Sequence, residues 1–182
     1  MNVELLRKEL KKIKDEALRG TVERILQNIP ECMERKASSS SGKYHPDFDN
    51  EDGGNINHTK AVVRVLGTLL SEYESYDVYC INVDELYAAA ILHDMMKYGE
   101  NPENSEHTVS DHPILAANLI RTEYPGVARL IESHMGRWNE IRNEEKEVVG
   151  YLPIPITHEE RLLHTADHIA SQKWIDRSIL EY

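Results

Sequence analysis

The feature that most constrains this chain is the dipeptide His93-Asp94, which closes an apolar run, Leu86-Tyr87-Ala88-Ala89-Ala90-Ile91-Leu92. The run predicts a buried helix, and it ends in two side chains that are costly to bury without a partner. A divalent cation is such a partner, because neutral imidazole and ionised carboxylate bind one ion together. Further candidate ligands flank the pair: His58 before it, and His112, His134 and Asp167 after it. The set holds imidazole and carboxylate but no thiolate. It therefore suits one or two divalent metals (Fe, Mn, Ni, Co or Zn, with Mg also compatible) rather than a structural zinc held by cysteines.

The spacing of apolar residues predicts an all-α, single-domain fold. Residues 2–36 read as amphipathic helix, with Leu5, Leu6, Leu10, Ile13 and Leu18 in one stripe, a break at Gly20, and Val22, Ile25, Leu26 and Ile29 continuing it. We read 1–36 as N-terminal helices packed on the core. The stripe could also pair with a second copy, giving a homo-oligomer, and core packing accounts for it equally well. Residues 37–54, ASSSSGKYHPDFDNEDGG, read as a polar loop of a length that is more often functional than idle. Helices follow over 56–73, from a cap at Asp84 to Lys97, from a cap at Ser110 or Asp111 through His112 and Ile120, and through Leu130 to His134. Residues 136–156 read as a variable loop. Thr157 with Glu160 forms a capping box for a last helix that carries His164 and Asp167.

Acidic residues outnumber basic ones, 32 to 21, for a formal charge of −11. That balance argues against a broad grip on nucleic acid, which needs a basic surface. A small anionic substrate stays compatible, because a bound metal reverses the local field. Cys32 and Cys80 are far apart and read as reduced thiols of a cytoplasmic protein. The N-terminus is too charged for a signal peptide, and no apolar stretch is long enough to span a membrane.

The order His58, His93-Asp94, Asp167 resembles the HD-domain superfamily of metal-dependent phosphohydrolases, over about Ser39 to Ser171. The words GKYHP, GGNINHT, ILHDMMKYG, SHMG and LLHTAD look most like the HD module of bacterial 3′-5′ exoribonucleases, with Met135 where those relatives often carry a second histidine. On this resemblance residues 37–182 form the HD domain. It implies that His58, His93, Asp94 and Asp167 hold one metal and that Asp94 bridges to a second held by His112 and His134. It also implies hydrolysis of a phosphomonoester or phosphodiester, in a nucleotide or short oligonucleotide, by metal-activated water.

Asp94 and Lys97 are the expected catalytic residues; Lys97 follows the pair in an HDxxK spacing that would set its ammonium on the phosphate. Lys43 and His45, with Tyr44 between them, suggest a lid meeting the phosphate from the side opposite the metals, and Arg137 after SHMG is a further phosphate contact. His164, one turn before Asp167, either orients that aspartate or packs in the core. Trp138 and Trp174 read as core or rim aromatics. Two other readings use the same ligands: a di-iron oxygenase acting on a small substrate, and a non-catalytic binding module stabilised by its metal.

Overall fold

The computed structural model describes residues 1–39, 42–43, 45–72 and 81–181. Among them are seven α-helices and one small hairpin: α1 (Arg7–Leu10), α2 (Glu16–Asn28), α3 (Gly54–Glu72), α4 (Val83–Leu92), α5 (His112–Asn118), α6 (Pro125–Ser133), β1 (Glu140–Arg142), β2 (Val148–Tyr151) and α7 (His158–Ala170). Short 3-10 turns precede α1, follow α2 and lie at Asp47–Asp49, Pro102–Asn104 and Arg177–Leu180. None of these helices is long and apolar enough to cross a membrane.

Helix α4 is the centre of the bundle. Every residue from Leu86 to Leu92 is buried, as a helix apolar on all sides requires. Its three consecutive alanines keep it slim, and α2, α3, α6 and α7 all pack against it. Helix α3 lies along α7, and α5 lies along α6. This arrangement brings the ends of α4 and α6, the starts of α3 and α5, and the C-terminal half of α7 to one place.

The N-terminal stripe is spent inside the molecule: Leu6, Leu10, Ile13, Leu18, Val22, Leu26 and Ile29 are all buried in the common core. Gly20 is not the break. Helix α2 runs straight through it, and a methyl group there would meet no neighbour. The chain turns earlier, at Lys11–Asp15, where the Asp15 carboxylate caps α2 by accepting from the N–H groups of Ala17 and Leu18. Asp84 does not cap α4 either. Asn82 does so, through the N–H of Glu85, and Asp84 instead accepts from the N–H groups of Lys14 (2.8 Å) and Asp15 (2.9 Å). A carboxylate at one helix start thus bolts down the turn before another.

The expected helix to Lys97 stops at Leu92. Beyond it, Met95 N–H bonds to Leu92, Lys97 N–H to Asp94 and Gly99 N–H to Met96, all three residues back. This tighter winding ends at Gly99, whose φ of +75° suits glycine. Asp111 precedes α5 but makes no side-chain cap. Residues 136–156, expected as loop, contain the β1–β2 hairpin, antiparallel with a bulge between Ile141 and Arg142. It pairs only with itself, so its strands are exposed and lack the one-sided alternation that marks a sheet packed on a core.

The capping box is present. Thr157 Oγ1 accepts from Glu160 N–H at 3.2 Å, and the Glu160 carboxylate accepts from the N–H groups of Ile156 (2.6 Å) and Thr157 (3.1 Å) and from Arg129 Nε (2.6 Å). Burial pushes the Glu160 carboxyl up, but the Ile156, Arg129 and Thr157 donors together leave it below its ordinary value. Its stabilisation is therefore full above the usual carboxylate range and is lost as the pH falls through the depressed value. Glu160→Gln should cost about 2 kcal/mol at pH 7. In urea melts the gap between parent and variant should close as the pH is lowered; a gap independent of pH would contradict the assignment.

Candidate metal centre

Each candidate ligand is placed by the local rule that ends or starts its helix. His58 sits in the second turn of α3, His93 and His134 are the C-caps of α4 and α6, His112 opens α5, and Asp167 lies on the inner side of α7. His58, His93, Asp94, His112 and His134 are all buried. Ring centroids run 5.5 Å from His58 to His93, 5.0 Å from His93 to His134 and 5.3 Å from His134 to His112.

The four imidazoles share one orientation. Nδ1–H of His93 donates to the carbonyl of Ala90 (2.8 Å), that of His112 to Val109 (2.7 Å), that of His134 to Ile131 (2.7 Å), and that of His58 to Asp49 Oδ2 (3.0 Å). For His93, His112 and His134 the carbonyl fixes the tautomer, and in all four rings the Nδ1 partner turns Nε2 inward, the arrangement that prepares an imidazole to bind a metal. The Nε2 atoms of His93 and His112 and Oδ1 of Asp94 are buried with no hydrogen-bond partner. Buried polar atoms normally have one. Cations bound on the two sides of Asp94 would satisfy all three.

Asp94 divides the cluster. Its Oδ2 lies 3.8 Å from His58 Nε2 and 3.4 Å from His93 Nε2, while its Oδ1 lies 3.1 Å from His112 Nε2 and 3.7 Å from His134 Nε2. Asp167 Oδ1 joins the first group, 3.0 Å from His58 Nε2 and 3.9 Å from His93 Nε2. The residues offer two adjacent sets of donors, His58–His93–Asp94 and Asp94–His112–His134, each tight enough for one ion. Oxygen and imidazole nitrogen together fit a divalent transition metal.

Charge is tightly balanced among these groups. Burial pushes the His58 imidazole down, but Asp49 and Asp167 on either side outweigh it and push it up to about 10. Burial, reinforced by His93, pushes His134 down to about 3. Asp94 is held well below the carboxylate range against its burial, chiefly by the Lys97 ammonium, which pairs with its Oδ2. A cation held by Nε2 of His58 would take the place of a proton there.

A cavity of about 790 Å³ opens over the centre. Asp94, His112, His134 and Asp167 line it, and so do the four expected substrate contacts, Lys43, His45, Lys97 and Arg137. His58 and His93 lie beneath that surface, fully buried. Lys97 also donates to Ser38 Oγ at 3.4 Å. The Arg137 guanidinium lies over the Trp138 ring at 4.3 Å. The two tryptophans are not core: Trp138 is 48 % and Trp174 72 % exposed, both at the cavity wall. Tyr44 and Cys80 lie outside the described residues, and Cys32 is a half-buried free thiol. His164 is not hydrogen-bonded to Asp167. Its Nδ1–H donates to the backbone carbonyl of His134 at 2.7 Å, and its ring fills the space over Gly136, where a Cβ would come within 2.3 Å of it. That ring and a φ of +57° both exclude a side chain at the glycine of SHMG.

A profile of the HD domain matches residues 55–172, well over half of the chain. The chain belongs to the HD-domain family. That family is a helical one, made up mostly of metal-dependent phosphohydrolases, and its match runs from the residue before Ile56 to just past the end of the Asp167 helix. No curated protein and no solved structure matches the chain. Two participants escaped the sequence reading. Asp49 lies among Asp47, Glu51 and Asp52 in a polar stretch where nothing but its four-residue offset from His45 sets it apart, and Ser38 is one of four consecutive serines.

Proposed function

We propose that this HD-domain protein is a metal-dependent phosphohydrolase that cleaves a phosphomonoester or phosphodiester of a nucleotide or short oligonucleotide. The observation that carries this reading is the division of Asp94, one oxygen toward His58 and His93 and the other toward His112 and His134, at the floor of a cavity with cations on its wall. Divalent transition metals held there would supply Lewis acidity and a water of lowered pKa. His58, His93, Asp94 and Asp167 are the ligands for one ion, with Asp94, His112 and His134 for a second. Lys97, Lys43 and Arg137 neutralise the phosphate from the wall, and His45 meets it from the opposite edge.

The two exposed tryptophans favour a nucleotide over a simple phosphate ester. A base stacked on such a ring gains about 1–3 kcal/mol whatever its identity. The net charge of −11 disfavours a long polyanion, which keeps the substrate short. The likeness of GKYHP, GGNINHT and SHMG to exoribonuclease HD modules points the same way.

The test is turnover. Loaded with Mn, Co, Ni or Fe, the protein should release phosphate or nucleotide from a panel of nucleoside phosphates and short oligonucleotides, and a chelator should abolish the release and lower Tm. Metal-replete protein that turns over none of them would remove the reading. Oxygen uptake with a mixed-valence iron signal would instead mark an oxygenase on the same ligands.

A further inference from the structure

One carboxylate near the centre has no part in the ligand set described so far. Asp49 is fully buried, on the short 3-10 turn Asp47–Asp49. Its Oδ2 accepts from Nδ1–H of His58 at 3.0 Å and from Nδ1–H of His45 at 2.9 Å. The two rings meet edge to face, 5.4 Å apart between centroids. One ring belongs to the metal cluster, and the other lines the cavity.

The backbone of Asp49 already does what a turn requires. Its N–H bonds to Pro46 and its carbonyl accepts from Ser38 N–H at 2.7 Å. That carbonyl also presses against the first residue of α3: a Cβ on Gly54 would lie 2.0 Å from it, so only glycine permits the approach. Gly54 stands one turn before His58 on the same helix, which delivers the Asp49 carboxylate to the back of the His58 ring. The side chain is thus free of any structural duty in its own turn, and its other oxygen, Oδ1, is buried without a hydrogen-bond partner. A buried carboxylate kept at that cost needs a use.

We propose that Asp49 is the positioning residue of the centre, its single Oδ2 orienting the metal-side imidazole of His58 and the cavity-side imidazole of His45 together. Each ring is held with Nδ1–H toward Asp49, so that Nε2 of His58 serves the metal and Nε2 of His45 serves the anionic substrate. The assignment rests on the metal-centre reading above. It makes an asymmetric claim: loss of Asp49 damages both metal affinity and substrate binding, whereas loss of His45 damages substrate binding alone.

The experiment measures Co²⁺ affinity by titration, with KM for a nucleotide phosphate, in the parent, D49A, D49N and H45F. In D49A the Co²⁺ affinity should fall by about 10–100-fold. D49N should recover most of that loss, because an amide oxygen can accept both N–H bonds. H45F should keep Co²⁺ affinity within about threefold while KM rises about tenfold. Zinc-loaded parent should show a solvent-protected Nδ1 proton on His58 by NMR, a measurement that stands even if D49A does not fold. Parental Co²⁺ affinity in folded D49A, a loss in H45F equal to that in D49A, or no protected proton on His58 would each overturn the role of Asp49. A parent that takes up no Co²⁺ would sink the metal centre itself, a different failure read from a different sample.

Discussion

Asp94→Ala is expected to lose bound transition metal and to lower kcat/KM by roughly 10³-fold or more. Disturbing a residue that only orients a ligand costs about 10–100-fold, and Asp94 faces both donor sets directly. The same change should lower stability by about 3 kcal/mol, or roughly 10 °C in Tm for a chain of this size, because it leaves the half-buried Lys97 ammonium at the cavity floor without the carboxylate it pairs with. Asp94→Asn separates the two effects. Its amide keeps the shape and a hydrogen bond to Lys97, so the fold should hold, while the missing charge removes the bridge between the donor sets. Metal content by elemental analysis, melting curves and turnover decide the matter. Full activity in D94N would contradict the bridging role. A D94A protein that loses only Tm, from a parent with no turnover, would identify a binding module.

Lys97→Ala should move two observables in opposite directions. The ammonium pairs with Oδ2 of Asp94, the oxygen that faces His58 and His93, so it competes with a divalent cation for that atom and repels it. Removing it should leave metal affinity unchanged or raise it by up to about tenfold. The same ammonium lines the cavity above the centre, where on the proposed function it would stabilise negative charge developing on phosphate. Removing it should therefore lower kcat by about 10²–10³-fold with the metal still bound. Arginine should not restore the rate, because its planar fork cannot occupy the single-point contact between Asp94 and Ser38. The metal-free variant should melt lower than the parent and recover on adding Mn²⁺. A variant with parental kcat would reduce Lys97 to a counter-ion of Asp94.

Much of this was legible without coordinates. The apolar run of α4 ending in His93-Asp94 and the capping box of α7 follow from local chemistry: helix periodicity, side-chain caps, and the cost of burying polar groups; the ordered set His58, His93, Asp94, His112, His134 and Asp167 came instead from resemblance to a family. The local signals lie within a few residues of one another, so a linear reading can find them. What it mistook was set by distant partners. Gly20 resembles a helix break, yet α2 is held by core contacts on both sides of it, and Asp84 resembles a cap, yet its carboxylate is claimed by Lys14 and Asp15.

Local order along the chain is enough to dictate a helical protein, with imidazole and carboxylate side chains as candidate ligands on its helices. It does not say which oxygen of Asp94 faces which histidines, that Trp138 and Trp174 stand at a cavity wall rather than in the core, or that Asp49 reaches both His45 and His58. Those outcomes come from the packing of α3 against α7 and α4, and from the contact of Gly54 with the Asp49 carbonyl. The contacts of Asp94 with the histidines join residues up to 40 apart in the chain, and those of Asp49 depend on how the turn meets α3, so a local pattern records neither fully.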